Sequence, residues 1–428
     1  MMTEEQNDTL CRVGADTPMG RAMRRYWHPV ALSEQLPHPD CNPLRVTLLG
    51  EKLVAFRDSE GRVGVMEELC MHRGASLAIG RVEDGGIRCI YHGWKFAVDG
   101  TILDTPNHSD CRFRQRLKAA AYPTREQSGL IWAYLGPAEH EPPFRRFAYD
   151  QDEHRMVFRV NVKVNYLQLW EGGCDSSHVG VLHSNQVRPS WKAERGLDDD
   201  PNMPVMLAMD DNAPRLEIED TAFGYHYAAI RTTVGATVED IQRNVRIVPI
   251  IMPSMRMIPT NEYIFTVFET PADDYNTSTF LVVHSSKPLN RDQILYDLGM
   301  NDARYWTPDN FDFAGSWDNG FFQDRAAMGR SWTGLHGIEI EDVAIGLSYG
   351  PLYDRAKEHL VPADQAVVRL RRRLMECVRL VEAGEPPLGA MIEDMTRVGA
   401  PDRIVEEGTR WQDLAPGHFD FVLTRSKA

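Results

Sequence analysis

Two cysteines and two histidines carry the first chemistry in the chain. They stand as Cys70-x-His72 and Cys89-x-x-His92, with sixteen residues between His72 and Cys89. Two thiolates and two imidazoles from two short loops close a four-ligand site. Zinc accepts that set, and so does a [2Fe–2S] cluster with both Cys on one iron and both His on the other. A zinc finger of the two-Cys, two-His kind brings Cys with Cys and His with His. Here each loop brings one of each. That mixed delivery suits two irons, because each loop reaches both metals.

A second group lies further on, in Asp175-x-x-His178-x-x-x-x-His183. The two histidines are spaced near one helical face or across a helix end. Two imidazoles so placed can give two ligands to one metal. A carboxylate from elsewhere would complete a facial triad of two His and one carboxylate, which leaves open positions on ferrous iron for O2. The plainer reading of the same residues is a helix-capping Asp beside two buried His.

The first group resembles the Rieske cluster motif, with Arg73-Gly74 after the first His and Gly93-Trp94 after the second. Rieske proteins of the respiratory type carry a further Cys in each loop. This chain has Ala75 in the first loop and no further Cys in the second, so the resemblance is to the oxygenase and ferredoxin branch. With the second group included, the chain resembles the terminal oxygenase (α) subunit of a Rieske non-haem iron aromatic oxygenase. Glu171-Gly172-Gly173-x-Asp175-Ser176-Ser177-His178 is similar to the branch of phthalate dioxygenase and aromatic O-demethylases.

The resemblance implies roles for these residues. Cys70, His72, Cys89 and His92 would hold the [2Fe–2S] cluster. His178 and His183 would ligate a mononuclear Fe(II). Asp175 would bridge His178 to a cluster histidine, His92, of a neighbouring subunit, because a carboxylate that accepts N–H from two metal-bound imidazoles orients both. Asp342, in Glu339-Ile340-Glu341-Asp342, aligns with the family's third iron ligand. The chain departs from the family by placing Glu341 where Gln is usual and Leu347-Ser348-Tyr349 where Glu-Ser-Met is usual. Glu341 and Glu339 therefore stay open as alternatives.

The elements that must position these residues follow from period and punctuation. Segments such as 44–49, 52–57 and 63–66, broken by Gly50-Glu51 and Asp58-Ser59-Glu60-Gly61, read as short antiparallel strands. They predict a small β-sandwich or barrel with the cluster loops as hairpin tips. Sheet-like alternation returns from Arg215 to His284. Residues 363–382 carry Val367, Leu370, Leu374, Cys377 and Val381 at helical spacing. Phe419 to Leu423 reads as a terminal strand. The fold class is α+β: a β-rich Rieske domain over 1–148 with a helical lead-in, then a catalytic domain over 149–428 with an antiparallel sheet covered by helices.

Composition narrows the function. The 428 residues are 43% hydrophobic and 25% charged, ordinary for a globular protein of two domains. A net charge of −15 disfavours nucleic acid and anionic membrane as partners. Five cysteines beyond the cluster pair (Cys11, Cys41, Cys111, Cys174, Cys377) lack framework spacing and fit a reducing cytoplasm. No signal peptide and no run of transmembrane length is expected.

The expected reaction is hydroxylation or O-demethylation of an aromatic, carboxylated substrate with O2. Arg231, Arg246 and Arg256 are candidates to hold the carboxylate by a guanidinium fork. His226 and His284 lie on strands and could face the pocket or not. No dinucleotide-binding glycine motif is present, so NAD(P)H acts only indirectly, through a separate ferredoxin or flavin reductase. The family implies a homotrimer or stacked trimers. Two rival classes remain: a Rieske electron-transfer protein without oxygenase activity, and a zinc hydrolase using His178, His183 and Asp342.

Overall fold

A computed structural model describes residues 2–108, 111–184, 211–234, 241–260, 263–307 and 311–423. The chain forms two compact units. The smaller comprises Arg12–Pro142 and Thr270–Asp274; the larger comprises Met1–Cys11, Pro143–Glu269 and Tyr275–Ala428.

The division differs from the expected 1–148 and 149–428 at both ends. Residues 143–148 belong to the larger unit because Arg146–Phe147 pairs as a strand with Asp394–Met395, and Arg145 donates to the Met252 carbonyl. The first helix, Glu4–Cys11, also belongs there. Asn7 donates to the Tyr353 carbonyl, and the Leu10 and Cys11 carbonyls accept from Tyr166 and Asn165.

The smaller unit is built from three antiparallel sheets of short strands. Three of its hairpins turn on two residues with positive φ: Leu49-Gly50, Asp84-Gly85 and Ser128-Gly129. Such turns match the strand twist and favour glycine in the second place. Val54, Phe56, Met66, Leu77, Ile87, Phe96 and Ile102 pack into the core beneath the two cysteine loops. The second loop is a hairpin tip between paired Arg88 and Lys95. The first is not a simple tip; it joins two sheets and is closed by one bridge, Leu69 to Ser76.

The larger unit holds an eight-stranded sheet. Its path runs His154–Val162, Asn276–Ser285, Ile264–Asp273, Met255–Pro259, Ile241–Ile251, Gly224–Val234 and Arg215–Thr221, with Asp402–Val405 added beside Ile241–Ile251. His154–Val162 and Asp402–Val405 extend the sheet beyond the stretch read from alternation. Phe158, Val160, Phe265, Val267, Leu281 and Val283 form one apolar face. Helix Arg291–Leu298 and helix Ile338–Ser348 pack on that face through Ile294, Leu298, Ile340, Val343 and Ala344.

The stripe Ile340, Val343, Ala344, Leu347 repeats at helical spacing and sets the helix's rotation about its axis. Glu339 and Asp342 consequently share another face. Helix Gln365–Glu382 buries Val367, Leu370, Leu374 and Cys377, as its period predicts, but its last buried apolar residue is Val378 and Val381 is only half-buried.

The tail corrects one expectation. Phe419 to Leu423 forms no strand: His418–Phe421 is a one-turn helix, and only Val422 bridges the sheet, at Thr221. The helix turns the His418 side chain inward to His226 and Glu219, which an extended tail would not do. Among the described residues no helix is long and apolar enough to cross a membrane.

Candidate active site

The two cysteine loops share one construction. The Cys70 amide donates to the Ala75 carbonyl and the Gly74 amide to the Cys70 carbonyl, both at 2.8 Å. In the second loop Cys89 donates to Trp94 at 2.8 Å and Gly93 to Cys89 at 3.0 Å. Gly74 and Gly93 have φ of 74° and 77°, the left-handed region that closes each loop tightly. Both thiols are 2% exposed, whereas both histidines lie half-exposed. The His72 and His92 rings meet edge to face at 4.5 Å, and His72 stacks on Trp94 at 4.7 Å.

This arrangement fits an iron–sulfur cluster. Burial, with the Cys89 thiol beside it, pushes Cys70 up to about 11. Two buried thiols facing each other need a cation to become thiolates, and iron supplies one. The His92 Nδ1 is buried without a hydrogen-bond partner, as a ligand atom aimed at a metal would be.

The second group gathers in the larger unit. Asn165 caps helix Tyr166–Cys174 through its side chain, and the helix stops at Asp175, whose backbone is extended. One turn of helix, Val179–Leu182, follows, with His178 at its start and His183 at its end. That placement turns the two Nε2 atoms to face each other at 3.2 Å. Asp342 Oδ1 lies 3.2 Å from His183 Nε2 and 3.7 Å from His178 Nε2. Ligand atoms of His178, His183 and Asp342 lie within 4.8 Å of one another.

The outer nitrogens are also held. His183 Nδ1 lies 2.9 Å from Glu341, and His178 Nδ1 lies 3.5 Å from Asp175. A carboxylate behind each imidazole fixes its tautomer and strengthens it as a ligand. Burial alone would lower His183, but Asp342 and Glu341 outweigh it and raise it to about 10. The pocket thus favours a cation between the carboxylates, which is what a divalent iron would be.

The structure separates the three acidic candidates. Asp342 reaches the point where the imidazoles converge. Glu341 is turned behind His183 and also accepts the Thr333 hydroxyl. Glu339 makes no hydrogen bond with a described residue and lines a neighbouring cavity. The backing role of Glu341 was not read from the sequence; the acidic run that made it a rival ligand was its only signal.

Asp175 is tied down locally. Its Oδ1 accepts the Ser177 amide at 2.8 Å and hydroxyl at 2.6 Å. Burial opposes its charge, yet His178 and Ser177 hold it down at about 2.

A cavity opens beside the triad, walled by Tyr227, Val248, Ile258, Phe265, Val267, Leu281 and Leu298. Arg246 and Arg256 line it, but each is paired: Arg246 with Asp402 at 3.0 Å and Arg256 with Glu269 at 2.6 Å. Arg231 differs. It is 1% exposed and donates to the Asp211 carbonyl and to the Ser176 carbonyl and hydroxyl. It does not itself line the cavity; its Nη1, like the Arg256 Nε, has no partner among the described residues, and no described carboxylate forms an ion pair with it. Burial lowers it to about 10. His226 and His284 do not line the cavity. They bond to His418 and to Asp152 and Thr266 respectively.

Comparison with known proteins agrees with the two sites. The Rieske [2Fe-2S] domain family matches residues 26–123, and the LigXa C-terminal domain like family matches residues 133–420. The oxygenase subunit of phthalate 4,5-dioxygenase from Pseudomonas putida is 36% identical over 96% of this chain and 94% of its own. The chain belongs to the Rieske non-haem iron aromatic oxygenases, as an oxygenase subunit.

The oxygenase subunit of 3-chlorobenzoate-3,4-dioxygenase from Comamonas testosteroni is 34% identical over 90% of both chains. NdmA of Pseudomonas putida CBB5 shares the fold, with a TM-score of 0.58 and 18% identity over 92% of this chain and 100% of that one. The fold is that of a Rieske oxygenase, with a β-rich N-terminal domain and an antiparallel sheet with helices behind it. Its relatives are oxygenase subunits of multicomponent systems, which favours the oxygenase over the electron carrier.

Proposed function

We propose that this oxygenase subunit hydroxylates an aromatic carboxylate, and that Arg231 anchors the substrate's carboxylate. The observation that carries the reading is the buried guanidinium with an unused N–H beside Ser176. A buried cation in no direct ion pair is costly, with Asp402 and Asp211 acting on it only at a distance, and a carboxylate ligand lowers that cost. The names of the two dioxygenase relatives, both acting on ring acids, support it. The apolar walls suit the ring.

In this reading Cys70, His72, Cys89 and His92 hold the cluster, and His178, His183 and Asp342 hold one Fe(II). Bound there, the two centres supply single electrons and a place where O2 is activated. The protein's own groups do the rest. Glu341 and Asp175 keep the two imidazoles oriented. The cavity wall excludes water and presents the ring. Arg231 and Ser176 hold its acid group.

The proposal includes partners. Asp175 is 26% exposed and lines a cleft with Glu171, Glu358, Asp364 and Arg371, in which Arg371 pairs with Glu171 and Glu358. Around the cysteine loops Leu69, Ile79, Ile90 and Tyr91 are more than half exposed, with Arg73 over the Tyr91 ring. An apolar rim of that kind needs a cover. A homotrimer, single or stacked, would seat each rim on the next subunit's cleft and bring the partner subunit's His92 to Asp175. A ferredoxin or flavin reductase supplies the electrons from NAD(P)H. The thiols described are all free and buried, which supports a reducing, cytoplasmic setting.

The test begins with anaerobic protein. About three irons and two acid-labile sulfides per chain are expected, with a Rieske-type EPR signal on reduction. Aromatic acids are then screened for O2 uptake, with formaldehyde release reporting O-demethylation instead of ring hydroxylation. Arg231→Met should weaken binding of ring acids and leave their uncharged amides unaffected. Equal binding of acid and amide by the unaltered protein would overturn the carboxylate reading. Asp175→Asn should slow electron transfer between the centres while both remain loaded.

A further inference from the structure

Glu339 stands one helical turn before Asp342, on the same face of helix Ile338–Ser348. The residue is 9% exposed, and its carboxyl makes no hydrogen bond with a described residue. The core stripe of the helix points the other way, so packing does not explain an acid here. Glu339 lines the same cavity as His178, His183 and Asp342. Of the two arginines on that wall, Arg246 pairs with Asp402 and Arg256 with Glu269, although the Arg256 Nε keeps no partner among the described residues. Thr279 completes the shell of Glu269. Glu339 is therefore an unused hydrogen-bonding group on a largely apolar wall, facing the space where the ring must lie.

We propose that the Glu339 carboxyl reads a hydrogen-bond donor on the aromatic substrate, a ring hydroxyl, amino or N–H group. A buried polar group left unpaired is costly, so a wall that carries one favours the ligand that satisfies it. Burial, with Glu269 and Asp342 nearby, raises this carboxyl to about 8, so it is held largely uncharged near neutrality. An uncharged acid both accepts from a donor and tolerates the dry wall. The proposal refines the substrate class above: a ring acid with a second, donor-bearing substituent. It rests on that reading for the acid but not for the donor.

Calorimetric binding to anaerobic protein tests it, using hydroxy- and aminobenzoates against their methyl isosteres at each ring position. The uncharged phenols, anilines and toluenes of the same pattern are run beside them. For at least one position the donor should bind about tenfold more tightly than its methyl isostere. Glu339→Gln should keep most of that preference, and Glu339→Leu should erase it without weakening the methyl compound. The cluster's visible spectrum checks that each variant folds. A preference that survives in Glu339→Leu, or no preference in the unaltered protein, overturns the proposal. If acids and amides bind alike while the donor preference follows Glu339, the Arg231 reading fails and this one stands.

Discussion

His178 and His183 face each other through Nε2 atoms 3.2 Å apart, with ring centroids 5.0 Å apart. His226 and His418 meet through Nδ1 atoms 3.0 Å apart, with centroids 5.1 Å apart. Both pairs lie in the larger unit and their separations almost coincide, although the rings cross at 75° in the first and 55° in the second. Their surroundings differ. Asp175, Glu341 and Asp342 stand around the first pair. The second pair has one carboxylate, Glu219 on His418, and the rings of Phe223 and Trp411 around it. Burial lowers His226 to about 3, with His418 adding to the effect, while carboxylates raise His183 to about 10 against the pull of burial. Two facing imidazoles therefore do not make a metal centre. The negative charge placed around them does.

The largest effect should come from taking that charge away at its centre. Asp342→Asn should leave about two irons per chain, both in the cluster, and cut turnover by more than the ~100-fold that loss of an outer partner costs. Iron analysis and O2 uptake measure both. Glu341→Leu should come next: iron affinity falls by about 10- to 100-fold, read by competition with a chelator, because His183 loses its backing. If Glu341→Leu empties the site and Asp342→Asn does not, the assignment of ligand and backing residue is reversed.

The second pair should answer to pH. An unfolded imidazole takes its proton near 6.5, and His226 in the fold only near 3. Between those values the unfolded chain binds the extra proton, so stability falls as pH falls through that window. The slope is at most about 1.4 kcal/mol per pH unit for one group. His226→Phe should flatten the urea midpoint against pH by that proton and leave the iron count unchanged. Loss of iron in this variant would erase the distinction between the pairs. The smallest effect is expected at Thr333→Val, which removes one hydroxyl from Glu341. A stability loss of about 1 kcal/mol, measured by urea unfolding, and full iron content should result.

The two metal sites differ in how far they could be read from the chain. Cys70, His72, Cys89 and His92 belong to loops closed by their own backbone bonds and by Gly74 and Gly93, so spacing alone conveys the site. His178 and His183 were also visible as a spaced pair. The proposed third ligand, Asp342, was not separable from its neighbours by spacing. Consecutive helical residues point about 100° apart, so Glu341 and Asp342 can both be acidic and have different tasks. Ile340, Val343 and Ala344 show which face is core, but not which of the remaining faces meets His183. The tail failed for a related reason: alternating Phe419 to Leu423 fits a strand, while His418 is drawn inward by residues on a distant strand.

The sequence by itself determined the ligand types, the loops that carry the cluster residues, the family and the α+β class. These rest on local spacing and on patterns that each segment contains within itself. Only the tertiary structure decided that Glu341 backs His183 across 158 residues, that Arg256 and Arg246 each hold an ion pair, and that no described carboxylate pairs with Arg231. A side chain's charge state and free valence depend on what burial removes and what a distant partner restores, and neither is present until the chain has folded.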